Sequence, residues 1–515
     1  MDWTAGYASD IEYTAGFYRE QAPFNLNFAC VLNGIEPVDT SKPFTYFELG
    51  FGRGLTATVL AATAAHGRFY AADFNPAHVA GARQMAQEAK LDNLTLLENS
   101  FEELAEGQVA DLPQFDFITL HGIYTWVTAE NRRHIVKFIR RYLKPGGIVY
   151  LGYNAMPGWS VSLPLQRLIV EYADLHPNRS DVQVKAATDF IDKLDQAKAG
   201  YFEVAPALRQ RLDTLKTANP NYLVHEYMHK HWQPMYFADV VRDLAEAKLD
   251  YAGSAEASSN FTALFLNEEK QAVINANPDP IFRQTVKDYF LNTAFRKDVF
   301  VRGARRMSQV RQTEWLLACG VALTVPRDEA TLSLKLPEGN VNAKPEVYNP
   351  VLDALADGPK TIRELRSLPG LQQVPVPSLA QVVALLTSSG QANIFFGAAD
   401  HKSVDSAAQM NRVLGSKARY GDEFQTLASP LLGSGVGAGL IDRLLFDALE
   451  HNVNPEDTAA LAEHIWAILG SQGRQMLKDG KALTTAEENL SDIRDRVDTI
   501  VRTRLPLWRQ LGIRR

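Results

Sequence analysis

Glu48-Leu49-Gly50-Phe51-Gly52-Arg53-Gly54 follows the apolar stretch Phe44–Phe47, and an acid, Asp73, ends the next apolar run. A strand that breaks into closely spaced glycines lets main chain approach a ligand where a helix begins. The spacing is G-x-G-x-G, which departs from the G-x-G-x-x-G that seats a dinucleotide pyrophosphate. It also places an acid, Glu48, inside the strand end. A carboxylate there repels a pyrophosphate and suits the ammonium of an amino-acid-like ligand. Asp73 lies nineteen residues beyond Gly54, where a carboxylate can accept both hydroxyls of a ribose. Its competing role is an N-cap before Asn75-Pro76-Ala77. Phe74 would then lie against an adenine, and Asn99-Ser100-Phe101 either meets the adenine edge or caps a helix at Glu102–Glu106.

Two further groups sit where strands should end. His121-Gly122 is followed by Tyr124 and Trp126, and Tyr153-Asn154-Ala155-Met156-Pro157-Gly158-Trp159 forms the second group. Ligands of open α/β sheets lie beyond the carboxyl ends of the strands, so both groups should flank one crevice. Tyr124, Trp126, Tyr153 and Trp159 would line a narrow channel there, with Asn154 or His121 orienting an acceptor. The alternative for each aromatic is a loop anchor on the core. A third group, His225-Glu226-Tyr227-Met228-His229, matches the H-E-x-x-H of zinc sites, with Glu256 or Glu268 available as a further ligand. Gln233-Pro234 follows closely, and the group lies at the edge of the cofactor-fold elements, so it is read as a chance match and no metal is expected.

These residues need a scaffold, and the hydrophobic pattern supplies one. Phe44–Leu49, Arg68–Asp73, Leu94–Glu98, Phe115–His121 and Gly147–Tyr153 read as strands. Leu55–Ala65, Pro76–Lys90 and Asn131–Leu143 read as helices between them. Such alternation predicts a doubly wound, parallel α/β sheet. Lys144-Pro145-Gly146-Gly147 is expected to stop the last helix. Residues 160–222 look like a helical insertion. Pro234–Lys248 and Ile281–Asn292 read as helices, with Leu249–Ala255, Phe261–Asn267 and Phe295–Arg302 extended. Beyond Pro326, Thr331–Leu336 reads as a strand and Pro337 to Lys344 as linker. Helices at Tyr348–Ala356, Thr361–Leu365 and Ser378–Ser389, then an extended Ala392–Phe396, resemble a winged helix. Pro377–Ser389 has no Lys or Arg to meet phosphates, so nucleic acid is not its expected partner. Asn411 to Arg515 reads as helical, with a glycine-rich break at Gly433–Gly439.

Composition narrows the class. The 515 residues, 46% hydrophobic and 22% charged, have globular proportions. A net charge of −7 argues against a chain dedicated to nucleic acids or anionic membranes. Two cysteines, Cys30 and Cys319, supply no disulfide framework. Met1-Asp2-Trp3 opens without a basic then apolar leader, and no run approaches a membrane span, so the expected compartment is the cytoplasm.

The blocks Phe47–Gly54, Ala72–Ala82, Ser100–Leu104, Phe115–Val127, Leu143–Trp159, Leu223–Tyr227 and Phe295–Arg302 together resemble a known family. It is the bacterial class I S-adenosylmethionine-dependent methyltransferases with a methyltransferase regulatory domain, and the chain is similar to the rickettsial protein-lysine methyltransferases of outer-membrane proteins. Phe51 stands where Cys is common, which leaves the turn intact. The resemblance implies a Rossmann-like sheet completed by two last strands, one antiparallel, at Leu249–Ala255 and Phe295–Arg302; the alternative is that they form a separate α+β domain. It implies S-adenosylmethionine held by Glu48, Gly50, Gly52, Gly54, Asp73, Phe74, Ser100, Phe101 and His121. It implies methyl transfer to a neutral lysine amine, with Tyr153, Asn154 and His121 as catalytic residues and Tyr124, Trp126 and Trp159 lining the channel. The expected organisation is a cofactor-binding core at 1–159, an insertion at 160–222 acting as a cover or homodimer surface, a regulatory region at 223–325 that completes the sheet, a winged-helix-like module at 326–400 and a helical module at 401–515. Alternatives are a methyltransferase for a small molecule and a non-catalytic sensor of the cofactor.

Overall fold

The computed structural model describes residues 15–203, 206–217 and 220–514; Met1-Asp2-Trp3, which bears on the leader, lies outside them. Five parallel strands form the centre: β1 (Thr45–Leu49), β2 (Arg68–Asp73), β3 (Leu94–Glu98), β4 (Phe115–His121) and β5 (Leu143–Asn154). β6 (Leu249–Ser254) and β7 (Phe295–Arg302) complete the sheet in the order β3-β2-β1-β4-β5-β7-β6, with β7 antiparallel to both neighbours. The order reverses between β1 and β4, so a crevice opens at their carboxyl ends, beside the glycine turn and His121.

Helices cover both faces, which is why the central strands read as near-continuous apolar runs. On one face α1 (Pro23–Leu32) and α2 (Leu55–Thr63) bury Leu26, Cys30 and Leu60 against Tyr46, Phe117 and Tyr150. α3 (Pro76–Glu88) packs beside α2. On the other face α4 (Phe101–Glu106) and α5 (Ala129–Tyr142) cover Phe47, Ile118 and Leu151. The segment Lys144–Gly147 belongs to β5 as an irregularity in its pairing with β4 rather than a loop before it.

The insertion is helical, as its pattern predicts, with α6 (Leu163–Leu175), α7 (Ser180–Gln196) and α8 (Pro206–Thr217), and α9 (Pro220–Tyr227) runs from its end into the regulatory region. They enclose a core of their own that includes Trp159, Leu165, Ile191, Leu212 and Tyr227. α10 (Phe237–Ala245) precedes β6, and α11 (Glu268–Asn275) and α12 (Pro280–Leu291) precede β7. The extended run expected at Phe261–Asn267 is instead a tight 3-10 turn at Thr262–Leu264, where Phe265 N–H closes on Thr262 O.

Beyond the sheet, α13 (Gln309–Ala318) leads to β8 (Gly320–Leu323), then to a hairpin of β9 (Ser333–Leu336) and β10 (Gly339–Asn342). The stretch read as linker is therefore half strand, because Gly339 turns the chain back at φ +142°. α14 (Pro345–Ala356), β11 (Lys360–Thr361), α15 (Ile362–Arg366), α16 (Val376–Ser388) and β12 (Ala392–Phe395) follow, with β8 pairing antiparallel between β11 and β12. α17 (His401–Ala418) precedes a hairpin, β13 (Thr426–Ser429) and β14 (Ser434–Gly437), which occupies part of the stretch read as wholly helical. α18 (Leu440–Glu450), α19 (Thr458–Ser471), a small hairpin of β15 (Leu477–Lys478) and β16 (Lys481–Ala482), and α20 (Ala486–Gln510) end the described chain. No helix among the described residues is long and apolar enough to cross a membrane.

β7 is fixed by charges that have no access to water. Arg296 donates from Nη1 to both Asp288 oxygens at 2.7 and 2.8 Å and from Nε to Asp298 Oδ2 at 2.8 Å. Tyr153 Oη donates to the same Asp298 oxygen at 2.8 Å, and the guanidinium lies 4.1 Å from the Phe237 ring centroid. Removing one partner strands a buried cation. Asp298→Ala is expected to destabilise the protein by about 3–5 kcal/mol, whereas Tyr153→Phe costs about 1 kcal/mol; urea unfolding of both variants checks the difference.

Candidate functional site

The glycine turn divides its labour. Gly50, Gly52 and Gly54 all have positive φ, at +72°, +56° and +76°. A Cβ on Gly50 would lie 2.5 Å from Ile123 Cδ1 and one on Gly54 2.6 Å from Ala82 Cβ, so both glycines also permit close packing. A Cβ on Gly52 meets nothing within 4 Å, because that residue faces the crevice. Gly52 N–H donates to Asp73 Oδ2 at 2.8 Å, which ties the turn to the end of β2.

A cavity of about 500 Å³ occupies the crevice. Its first end is lined by Glu48, Gly50, Gly52, Gly54, Asp73, Phe74, Ser100, Phe101 and His121. Glu48 is buried, with one carboxylate oxygen accepting from Gln21 Nε2 at 3.1 Å and the other, Oε2, meeting no hydrogen-bond donor. Burial, with Asp73 nearby and the Gln21 contact opposing, pushes its carboxyl up to about 8. An unmet buried carboxylate oxygen is the complement of an amino-acid ammonium.

Asp73 is released from capping, because Asn75 caps α3 by accepting from Ala77 N–H at 2.9 Å. The Asp73 carboxylate instead accepts from Gly52 and Asn75 N–H groups and contacts His78 Nδ1 at 3.3 Å, leaving acceptor capacity for a hydroxyl. Ser100 does cap α4, in a reciprocal box with Glu103, and lines the cavity at the same time. The His121 ring stacks on Tyr18 with centroids 3.8 Å apart, and its Nδ1 lies 2.7 Å from Tyr150 Oη. Burial holds this imidazole down at about 4 despite Glu20 nearby, so it is neutral at pH 7.

The far end is lined by Trp126 and Asn154, together with Tyr222, His225, Glu226 and His229 from α9 and the turn after it, while Phe295 also lines the cavity with its ring 5.5 Å from that of His121. Trp126 meets His229 edge-on at 5.1 Å and stacks with Trp232 at 5.7 Å. Asn154 is buried with Nδ2 lacking an acceptor.

Three expected residues stay outside. Tyr153 and Asn154 are neighbours on one strand and so point to opposite faces; Tyr153 faces α5 and α10 and is spent on Asp298. Tyr124 is buried beneath the turn and donates to Asp243 Oδ2 on α10 at 3.0 Å. Trp159 donates to Ala294 O at 2.9 Å and packs within the insertion's core. Tyr18 also lines the cavity, yet it carries no local motif that could have announced it. The H-E-x-x-H group did have a signal, and it reaches the cavity. α9 ends at Tyr227, so its two histidines do not share a helix face, and their ring centroids are 6.0 Å apart. Among the described residues no group of three or more metal-ligating side chains assembles.

Comparison with known proteins agrees with this geometry. Residues 47–147 match a family described as "Methyltransferase domain" and residues 219–302 one described as "Predicted methyltransferase regulatory domain". An uncharacterized protein of Synechocystis is 37% identical over 514 residues, covering 100% of both chains. An uncharacterized protein of Rickettsia prowazekii is 24% identical over 295 residues, 56% of this chain and 51% of its own. The structure of PKMT2 from Rickettsia typhi in complex with AdoHcy is similar in fold, with TM-score 0.69 and 18% identity over 97% of this chain and 100% of that one. The sheet order, the glycine turn and its paired acids define a nucleoside-binding methyltransferase. The chain belongs to the class I S-adenosylmethionine-dependent methyltransferases that carry this regulatory domain.

The bound cofactor supplies an electrophilic methyl group on a sulfonium. Glu48 would hold its ammonium and Asp73 its ribose, both on residues already fixed by the turn. Pairing with an ammonium requires ionised Glu48, which is protonated below about 8 in the free protein. Cofactor affinity should therefore rise between pH 6 and pH 7, by about tenfold. Glu48→Gln should weaken binding and flatten that dependence, as read by calorimetry across the range.

Proposed function

We propose that this methyltransferase N-methylates lysine side chains of protein substrates. The observation that carries the reading is the far end of the cavity. It is partly aromatic, holds one carboxylate, and carries Tyr222, which is 44% exposed. A long cationic side chain presented from a protein surface suits that lining. Aromatic walls favour the alkyl stem and the methylated cation, while removal from water lowers the cost of the neutral amine that transfer needs. Free lysine titrates at about 10.4, so desolvation is part of the chemistry. The likeness to PKMT2 from Rickettsia typhi supports the same reading through fold alone. Tyr222, the last residue of the insertion, lines the cavity from α9, which supports a cover role for residues 160–222.

The test is incubation of the pure protein with methyl-labelled S-adenosylmethionine and an extract of its source organism. The expected result is alkali-stable label on protein bands that releases N-methyl-lysine on acid hydrolysis. Label confined to small molecules would replace the reading with a small-molecule methyltransferase. Cofactor binding without transfer would replace it with a sensor.

A further inference from the structure

Glu226 supplies the acid at the far end of the cavity, where Trp126, Asn154, Tyr222, His225 and His229 also line it. The remaining lining carboxylates lie toward the glycine turn and β3: Glu48 and Asp73 at the strand ends, Glu98 at the end of β3, and Glu103 tied into the α4 capping box. Among the described residues, the groups that face Glu226 are few. Arg211 approaches from α8 but rests its guanidinium 4.0 Å from the Trp159 ring centroid, and Tyr222, His225, Tyr227 and His229 come from its own segment. Trp126 and Asn154, from the β4 and β5 ends, are uncharged.

We propose that Glu226 is a catalytic residue of the regulatory region, receiving the acceptor ammonium at the far end of the cavity and taking its proton before methyl transfer. The inference rests on the lysine reading above. The ammonium N–H bond breaks toward a Glu226 oxygen, which becomes the carboxylic acid, and the nitrogen keeps the pair. That pair forms the N–C bond to the methyl group as the C–S bond breaks and its electrons return to sulfur. The positive charge passes to the product as N-methylammonium, and the acid later releases its proton to solvent.

Among the described groups at the far end of the cavity, Glu226 is matched to this task near neutral pH. Burial, opposed by Arg211, raises its carboxyl to about 7, close to the operating range that favours a general base. Burial and the neighbouring His225 push His229 down to about 3, and burial holds His121 near 4, so both imidazoles are poor proton acceptors at pH 7. Asn154, with its buried amide unmet, lies at the same end and is placed to orient the amine rather than to accept its proton.

Wild type, Glu226→Gln and Glu226→Asp would be assayed with labelled cofactor on poly-L-lysine and on the extract from pH 6 to 9. Wild-type turnover should rise through about pH 7, as Glu226 ionises. Glu226→Gln should lose at least about 100-fold in kcat, with its rise moved to more alkaline pH and cofactor affinity unchanged. Glu226→Asp should recover part of the rate. A second readout needs no turnover: the Glu226 carboxyl ¹³C resonance of the wild type, bound to S-adenosylhomocysteine, titrated with and without n-butylammonium. The amine should lower the midpoint by about one unit. Equal rates and pH profiles for wild type and Glu226→Gln would overturn the proposal, as would a midpoint that ignores the amine. If the wild type transfers nothing to lysine, the substrate reading falls, and the amine titration still decides whether Glu226 takes a cation.

Discussion

Everything in the site follows from placing the Glu48 carboxylate at the end of a central strand, out of water and with one oxygen unmet. A buried charge without a partner is costly, and here the free protein meets that cost by favouring the protonated form. Moving Glu48 toward solvent would abolish the penalty and the affinity together. Its backbone is held between β2 and β4 by parallel pairing, and its side chain is reached by Gln21 just before α1, so the carboxylate has no cheap escape. The glycines then act around this fixed point: two of them let neighbours close in, and one opens toward the ligand. The ammonium of a cationic cofactor is a donor suited to the oxygen that Gln21 does not reach.

Much of this was legible because local rules and tertiary placement agree. β2, β3, β4 and β7 begin and end where hydrophobicity and the flanking acids or turns say they should. The residues that misled are those whose fate is set across the sheet. Tyr153 sits at a strand end, as a channel residue would, but a period of two gives one face to Tyr153 and the other to Asn154. What claims Tyr153 is Asp298, on a strand 145 residues away whose register no local pattern reveals. Tyr124 is claimed in the same manner by Asp243. The opposite error concerns His225, Glu226 and His229. Weighed only as a metal motif the group is set aside, and yet its residues line the cavity because α9 and the turn after it pack over the strand ends.

The modules beyond the sheet contribute to the site without lining its cavity. Every residue of α2 is buried, and a helix apolar on all sides needs cover on all sides. One side of α2 meets the sheet through Leu60 and Ala61, while Leu55, Val59 and Ala62 join a core shared with α14, α16, α17 and α18. The loop before β13 reaches the glycine turn itself: Glu423 pairs with Arg53 at 2.6 Å, and the Arg53 guanidinium lies 5.1 Å from the Phe424 ring centroid. Exposed pairs of this kind are individually weak, so the stiffness of the turn comes chiefly from burying α2. The helix that opens the cofactor site is therefore only half covered by the cofactor domain. Its other half belongs to residues more than three hundred positions later, which makes the C-terminal modules part of the physical basis of cofactor binding rather than an appendage to it.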